Sequence, residues 1–546
     1  MDRWTMLRTW RPVVMGRRGA VASNHPLATE AGAAILRRGG NAADAYVAAA
    51  STLAVVEPHM SGLGGEGFAL VYSAASAEAI VVNATGRAPL AATADRYRDG
   101  IPAHGPLTAI TPGLVDGWCE VQRRFGTLPL PTLLESAIYH AREGFGATRT
   151  LGRYTREQAG ALAADPAAAA IFLPGGQPPA LGATIRQPAL ARTLELLAAG
   201  GRDAFYEGET ARALVRWVRD HGGLLDLADL RRCRAEVQAP LRTTYRGLDV
   251  LEAPPNSTGC VLLQELNVAE QFDLPALAAA SELPFESPDL IHTLVEIKKL
   301  CFVDRERVGD PSDTPAATVE RLLSKAYAAD LAGQIDPRRA IPRPVGTVPS
   351  GADTTYLAVV DGQGNAISGI QSLNDVFGAA VIAGETGILL NNRMRYWHLE
   401  AGHANQLRPG RRVRHTMNPP LVLRDGRPYL VFGTPGGDAQ VQVNLQVLTA
   451  LVDFGLDPQQ AVEMPRWQSM QPGTQANWPH ALPDQLLVED RLPPATLAEL
   501  ERRGHHLQVV GPLDGPCSVN VIRRDAAGGI WQAGSDPRRD AYAIAF

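Results

Sequence analysis

One stretch constrains this chain more than any other: Asp353-Thr354-Thr355-Tyr356-Leu357-Ala358-Val359-Val360-Asp361. It follows a Pro-, Gly- and Ser-rich run, 341–351, that reads as a linker. β-Branched and aromatic residues make it a strand, and a period of two puts Thr354, Tyr356, Ala358 and Val360 on one face. A threonine heading such a strand stands where a self-cleaving chain would expose a new N-terminus. Threonine is a weak nucleophile until a base takes its proton. An N-terminal threonine carries that base itself, because a free α-amino group ordinarily titrates at about 7.7–8.0. The same residues also suit a plain threonine-rich strand start, and spacing alone does not separate the two.

The 546 residues are 45% hydrophobic and 20% charged, an ordinary globular balance with room for a large core or several domains. A net charge of −5 argues against a nucleic-acid or acidic-membrane partner. The five cysteines, 119, 233, 260, 301 and 517, form no C-x-x-C pair and suit neither a zinc site nor a disulfide framework. A reducing compartment is expected. The first twenty residues lack the apolar run of a secretory signal, and no stretch approaches a membrane span. The location expected is cytoplasmic, with no metal and no cofactor.

Helical spacing marks 26–38 and 42–54, divided by Gly39-Gly40-Asn41. Strands are expected at 68–72 and 79–83, helices through most of 126–240 and at 290–306. Past the linker the texture turns to strands, at 354–361, 365–371, 419–423, 429–432 and 519–523, with a helix at 444–454. The whole reads as a layered sheet-and-helix protein.

Four loops hold candidate chemistry. Thr434-Pro435-Gly436-Gly437-Asp438 follows a strand, so its glycine N–H groups could hold an oxyanion; a tight turn is the plainer reading. Ser61-Gly62-Leu63-Gly64-Gly65-Glu66-Gly67 matches no phosphate-binding pattern, and close backbone packing explains it better. His415-Thr416-Met417-Asn418 could line a pocket or be structural. Arg393 reads as a surface charge or as a carboxylate clamp.

Taken in order, these pieces resemble the gamma-glutamyltransferase family of N-terminal-nucleophile hydrolases, over roughly residues 18–546. Gly39-Gly40-Asn41-Ala42-Ala43-Asp44-Ala45, the Ser61 to Phe68 loop, Asp304-Arg305 with Gly309-Asp310-Pro311, the Thr354 run, Gly384 to Asn392 and Gly534-Ser535-Asp536-Pro537-Arg538 are similar to that family's signatures. The resemblance implies an α/β (α+β) fold, the four-layer αββα sandwich. It implies cleavage between Asp353 and Thr354 into 1–353, helix-rich, and 354–546, which stay associated; a higher oligomer is compatible with this. Thr354 would form the acyl-enzyme from a small-molecule amide. Gly436 and Gly437 would hold the oxyanion, and Ser372 would stand where the family has a second threonine. Asn374 would contact substrate, and water or an amine acceptor would release the acyl group.

The departures from the family fall in the substrate pocket. Its glutamyl-binding arginine aligns with Thr85, two residues before Arg87. Its glutamine and aspartate become Arg393 and Tyr396, and its paired serines become His415 and Thr416. A cation there disfavours a substrate ammonium. The reading is therefore an amidohydrolase or acyltransferase whose acyl group carries a carboxylate but no free α-amine, resembling the oxamate amidohydrolase and cephalosporin acylase branch. The alternatives are a true gamma-glutamyltransferase (glutathione hydrolase) and an inactive member serving as a binding scaffold.

Overall fold

Both faces of the strand Asp353–Asp361 are buried, and that fixes the layer order. Tyr356, Ala358 and Val360 point into one apolar layer, Leu357 and Val359 into another. In the computed structural model, which describes residues 8–342, 353–470, 476–480, 484–525 and 529–546, this strand sits inside a seven-stranded antiparallel sheet. All but the first two residues of the expected linker lie outside the described residues. The sheet runs Tyr542–Ala545, Gly19–Ser23, Asp353–Asp361, Ala366–Asn374, Glu66–Ser73, Glu78–Ala84, Glu236–Gln238. A second antiparallel sheet of seven faces it: Val14–Gly16, Trp531–Ser535, Asn520–Arg524, Arg427–Gly433, Leu421–Arg424, Leu248–Glu252, Leu241–Tyr245.

Between the sheets lie Phe68, Leu70, Tyr356, Ile370, Leu421, Val431 and Ile522. The outer face of the first sheet packs on helices that include Pro26–Arg37 and Ala42–Val56. The outer face of the second packs on Gly259–Ala269, Pro288–Arg305 and Ala439–Val452. The fold is thus the mixed α/β, four-layer αββα sandwich. Asn41 begins the second helix with a capping box: its side chain accepts from the Ala43 and Asp44 N–H groups, and Asp44 accepts from the Asn41 N–H. Among the described residues, no helix is long and apolar enough to cross a membrane.

The helical reading of 126–240 needs correction. Phe145–Gly146 pairs with Thr184–Ile185, and Glu236–Gln238 adds an edge to the first sheet. Gly19–Ser23, Leu241–Tyr245, Leu248–Glu252, Trp531–Ser535 and Tyr542–Ala545 are strands absent from the sequence reading. Gly19–Ser23 is built of small residues and fully buried, so it shows no alternation to read.

Candidate active site

Thr354 heads its strand on the face turned to the second sheet and is 1% exposed. The register is irregular here. Asp353 pairs with Asn374 and Thr355 with Gln371, so Ser372 and Leu373 together oppose Thr354 alone. Such a bulge re-aims side chains beside a site. Asn374, with φ of 88°, adopts the left-handed backbone that asparagine tolerates best among non-glycine residues.

The bulge brings hydroxyls together. Thr354 Oγ1 donates to Ser372 Oγ at 3.3 Å, and Ser372 Oγ also accepts from the Asn374 N–H at 2.8 Å. Next along the strand, Thr355 points the other way, and its hydroxyl donates to Glu57 at 2.6 Å. The glycine loop 61–67 braces Ser372 from behind. A Cβ on Gly65 would collide with the Ser372 carbonyl oxygen, so close backbone packing is what those glycines provide.

From the second sheet, the chain leaves Arg427–Gly433, turns through Gly436 and Gly437, and enters the helix Ala439–Val452. Gly436 has φ of 123°, and a Cβ there would collide with Cys517 Sγ, so only glycine fits. Among the described residues, no hydrogen bond engages the N–H of Gly436 or Gly437. Gln440 then reaches back, and its Nε2 donates to Thr354 Oγ1 at 3.5 Å.

Asn374 carries the site toward Arg393. Its Oδ1 accepts from Arg393 Nη1 at 3.1 Å, and its Nδ2 donates to Asn477 Oδ1 at 2.9 Å. Arg393 is fully buried, which excludes the surface-charge reading. Its Nε contacts Glu66 Oε1 at 2.5 Å, and His415 Nε2 lies 3.1 Å from Glu66 Oε2. Arg393 Nη2 has no hydrogen-bond partner among the described residues. Burial pushes the His415 imidazole down to about 4, so it is neutral at pH 7. Burial would raise the Glu66 carboxyl, but His415 and Arg393 outweigh it and hold it below its ordinary value. The cation at Arg393 is therefore matched by a carboxylate, which weakens the expectation that bare charge alone repels an ammonium. Tyr396 lies under the Arg393 guanidinium and shares a 3.0 Å hydrogen bond with Thr416 Oγ1.

All nine expected residues are buried or sit in tight loops around these strands. The sequence reading missed Gln440, Asn477 and the role of Glu66, and had Asn418 only as a member of the His415 loop. At Thr85 the guanidinium in contact is that of Arg412, Nη1 to Thr85 Oγ1 at 3.0 Å, while Arg87 pairs with Glu236.

Residues 28–546 match the family model described as gamma-glutamyltranspeptidase. The chain belongs to this family. The gamma-glutamyltranspeptidase-family chain is 39% identical to the glutathione hydrolase-like YwrD proenzyme of Bacillus subtilis, over 97% of its length and 99% of the relative's. It is 33% identical to the oxamate amidohydrolase proenzyme of Klebsiella pneumoniae, over 97% and 98%. The crystal structure of cephalosporin acylase from Bacillus halodurans matches with a TM-score of 0.89 and 35% identity, covering 99% of this chain and 98% of that one. This family member is an enzyme of the amidohydrolase and acyltransferase type.

Proposed function

We propose that the chain is the precursor of an N-terminal-threonine amidohydrolase, cut between Asp353 and Thr354. The observation that carries this is the Thr354 hydroxyl, buried at the head of a central strand and donating to Ser372. Cleavage frees the Thr354 α-amino group to take the proton of Oγ1 as that oxygen attacks an amide carbonyl. The N–H groups of Gly436 and Gly437 receive the oxyanion, the amine departs, and water or an amine acceptor releases the acyl group. The fragments 1–353 and 354–546 stay together because each sheet interleaves strands of both. Asp353–Asp361 itself lies between Gly19–Ser23 and Ala366–Asn374.

For the substrate, Arg393 Nη2, without a hydrogen-bond partner among the described residues, supports an acyl group that carries a carboxylate. Asn374, Tyr396, His415 and Thr416 would complete that pocket. The rival reading, a γ-glutamyl substrate, draws on the name of the Bacillus subtilis relative. It needs a carboxylate for the α-ammonium. Glu66 is engaged by Arg393 and His415, and Asp375 by Asn392, Asn477 and Arg395. Purified wild-type protein should run as two bands and Thr354→Ala as one. A folded wild type that stays uncut overturns the mechanism, and robust turnover of a γ-glutamyl anilide but not a glutaryl anilide or an oxamate overturns the pocket assignment.

A further inference from the structure

Three carboxamides form a directed chain that ends on the Thr354 oxygen. Asn444 Nδ2 donates to Asn418 Oδ1 at 2.8 Å. Asn418 Nδ2 donates to Gln440 Oε1 at 3.2 Å and to the Thr416 carbonyl at 2.8 Å. Gln440 Nε2 then donates to Thr354 Oγ1. All three side chains are buried. Gln440 and Asn444 stand four apart on the helix Ala439–Val452, on one face, and Asn418 bridges them from the loop before Leu421–Arg424.

The direction of this chain is fixed by its ends. Were the Gln440 amide turned over, its NH2 would face the Asn418 NH2, donor against donor, and its carbonyl would face a hydroxyl that already donates to Ser372. A carboxamide does not titrate, so the donor toward Thr354 persists at every pH where the fold stands.

We propose that Gln440 is a catalytic residue that stabilises negative charge on Thr354 Oγ1, an inference that rests on Thr354 being the nucleophile. In acylation, Oγ1 loses its proton to the α-amino group and forms the C–O bond, and the C–N bond breaks with that proton passing to the leaving amine. In deacylation, water gives a proton to the α-amino group as its oxygen adds to the ester carbonyl, the C–O bond to Oγ1 breaks, and that proton passes to Oγ1. Charge grows on Oγ1 at its departure, and the Gln440 N–H meets it there without giving up its proton. Asn418 and Asn444 are positioning residues, acting only through Gln440.

The test compares wild type, Gln440→Met and Gln440→Glu on one anilide substrate, with acylation and deacylation separated by single-turnover kinetics. Gln440→Met keeps the volume and removes the donor; kcat should fall at least tenfold with KM changed less than threefold. Gln440→Glu puts a carboxylate beside the α-amino group, so its kcat/KM profile should rise at a higher pH than that of Gln440→Met. A folded, cleaved Gln440→Met with wild-type kcat overturns the proposal, whatever Gln440→Glu does. A wild type that is neither cleaved nor active sinks the reading of Thr354 instead, so the two failures are distinguishable.

Discussion

Arg393 and Glu66 are fully buried and meet Nε to Oε1 at 2.5 Å, although 327 residues separate them in sequence. An isolated charge in such a place is costly, and each stabilises the other only while both are present. Glu66→Leu leaves the guanidinium unpaired and should lower stability by about 3–5 kcal/mol. The double variant Glu66→Leu with Arg393→Met should recover most of that loss. Denaturant midpoints at pH 7 measure both, and a single variant as stable as the double one contradicts the pairing.

His415 makes stability depend on pH in a definite direction. Its folded-state value is about 4, below the 6.5 of the free side chain. Between these values the unfolded chain binds a proton that the folded chain refuses, so stability falls as pH drops from 7 to 4. The loss is on the order of 3 kcal/mol, since each pKa unit corresponds to about 1.4 kcal/mol. Glu66, held below its ordinary value, acts the same way: its contribution is present above about 4.5 and is lost as pH falls through the folded value. The difference in midpoint between wild type and His415→Asn isolates the histidine. Wild type's stability relative to the variant should fall steadily from pH 7 to 4, and a constant difference would mean that His415 protonates alike in the folded and unfolded chains.

Ser372 accepts hydrogen bonds from both the Thr354 hydroxyl and the Asn374 N–H. Removing one hydrogen-bond partner is worth about 0.5–1.5 kcal/mol, or up to about tenfold in a rate. Ser372→Ala should slow the appearance of the two fragments by about three- to tenfold, and Ser372→Thr should restore it. A gel time course on freshly purified precursor reads this directly.

How far the sequence could be read follows from which interactions are local. The strand that Thr354 heads was legible from its β-branched and aromatic run, and the neighbourhood of Ser372, Gly436 and Gly437 from runs that resemble the family's. The capping box at Asn41 and Asp44 was equally local. Glu66 was in view only as part of a glycine loop, since nothing near it reveals a partner at Arg393. Gln440 was hidden because the helix was read from 444, while it starts at Ala439, one turn earlier. Gly19–Ser23 has no alternation, and only its pairing with Asp353–Asp361 and Tyr542–Ala545 makes it a strand.

The paired variants also test for a carboxylate on the substrate's acyl group. A hydrogen bond to a charged group is worth about 1.5–3 kcal/mol, so exchanging a glutaryl for a pentanoyl anilide should lower kcat/KM by about tenfold to a hundredfold. Arg393 Nη2, which has no hydrogen-bond partner among the described residues, is the atom assigned to that carboxylate. The double variant Glu66→Leu with Arg393→Met, expected to regain most of the stability, removes the guanidinium. Discrimination between the two anilides should then collapse toward unity, chiefly through loss of glutaryl turnover. If the preference survives intact, the carboxylate is held elsewhere, and the buried guanidinium of Arg412 beside Thr85 is the group to remove next.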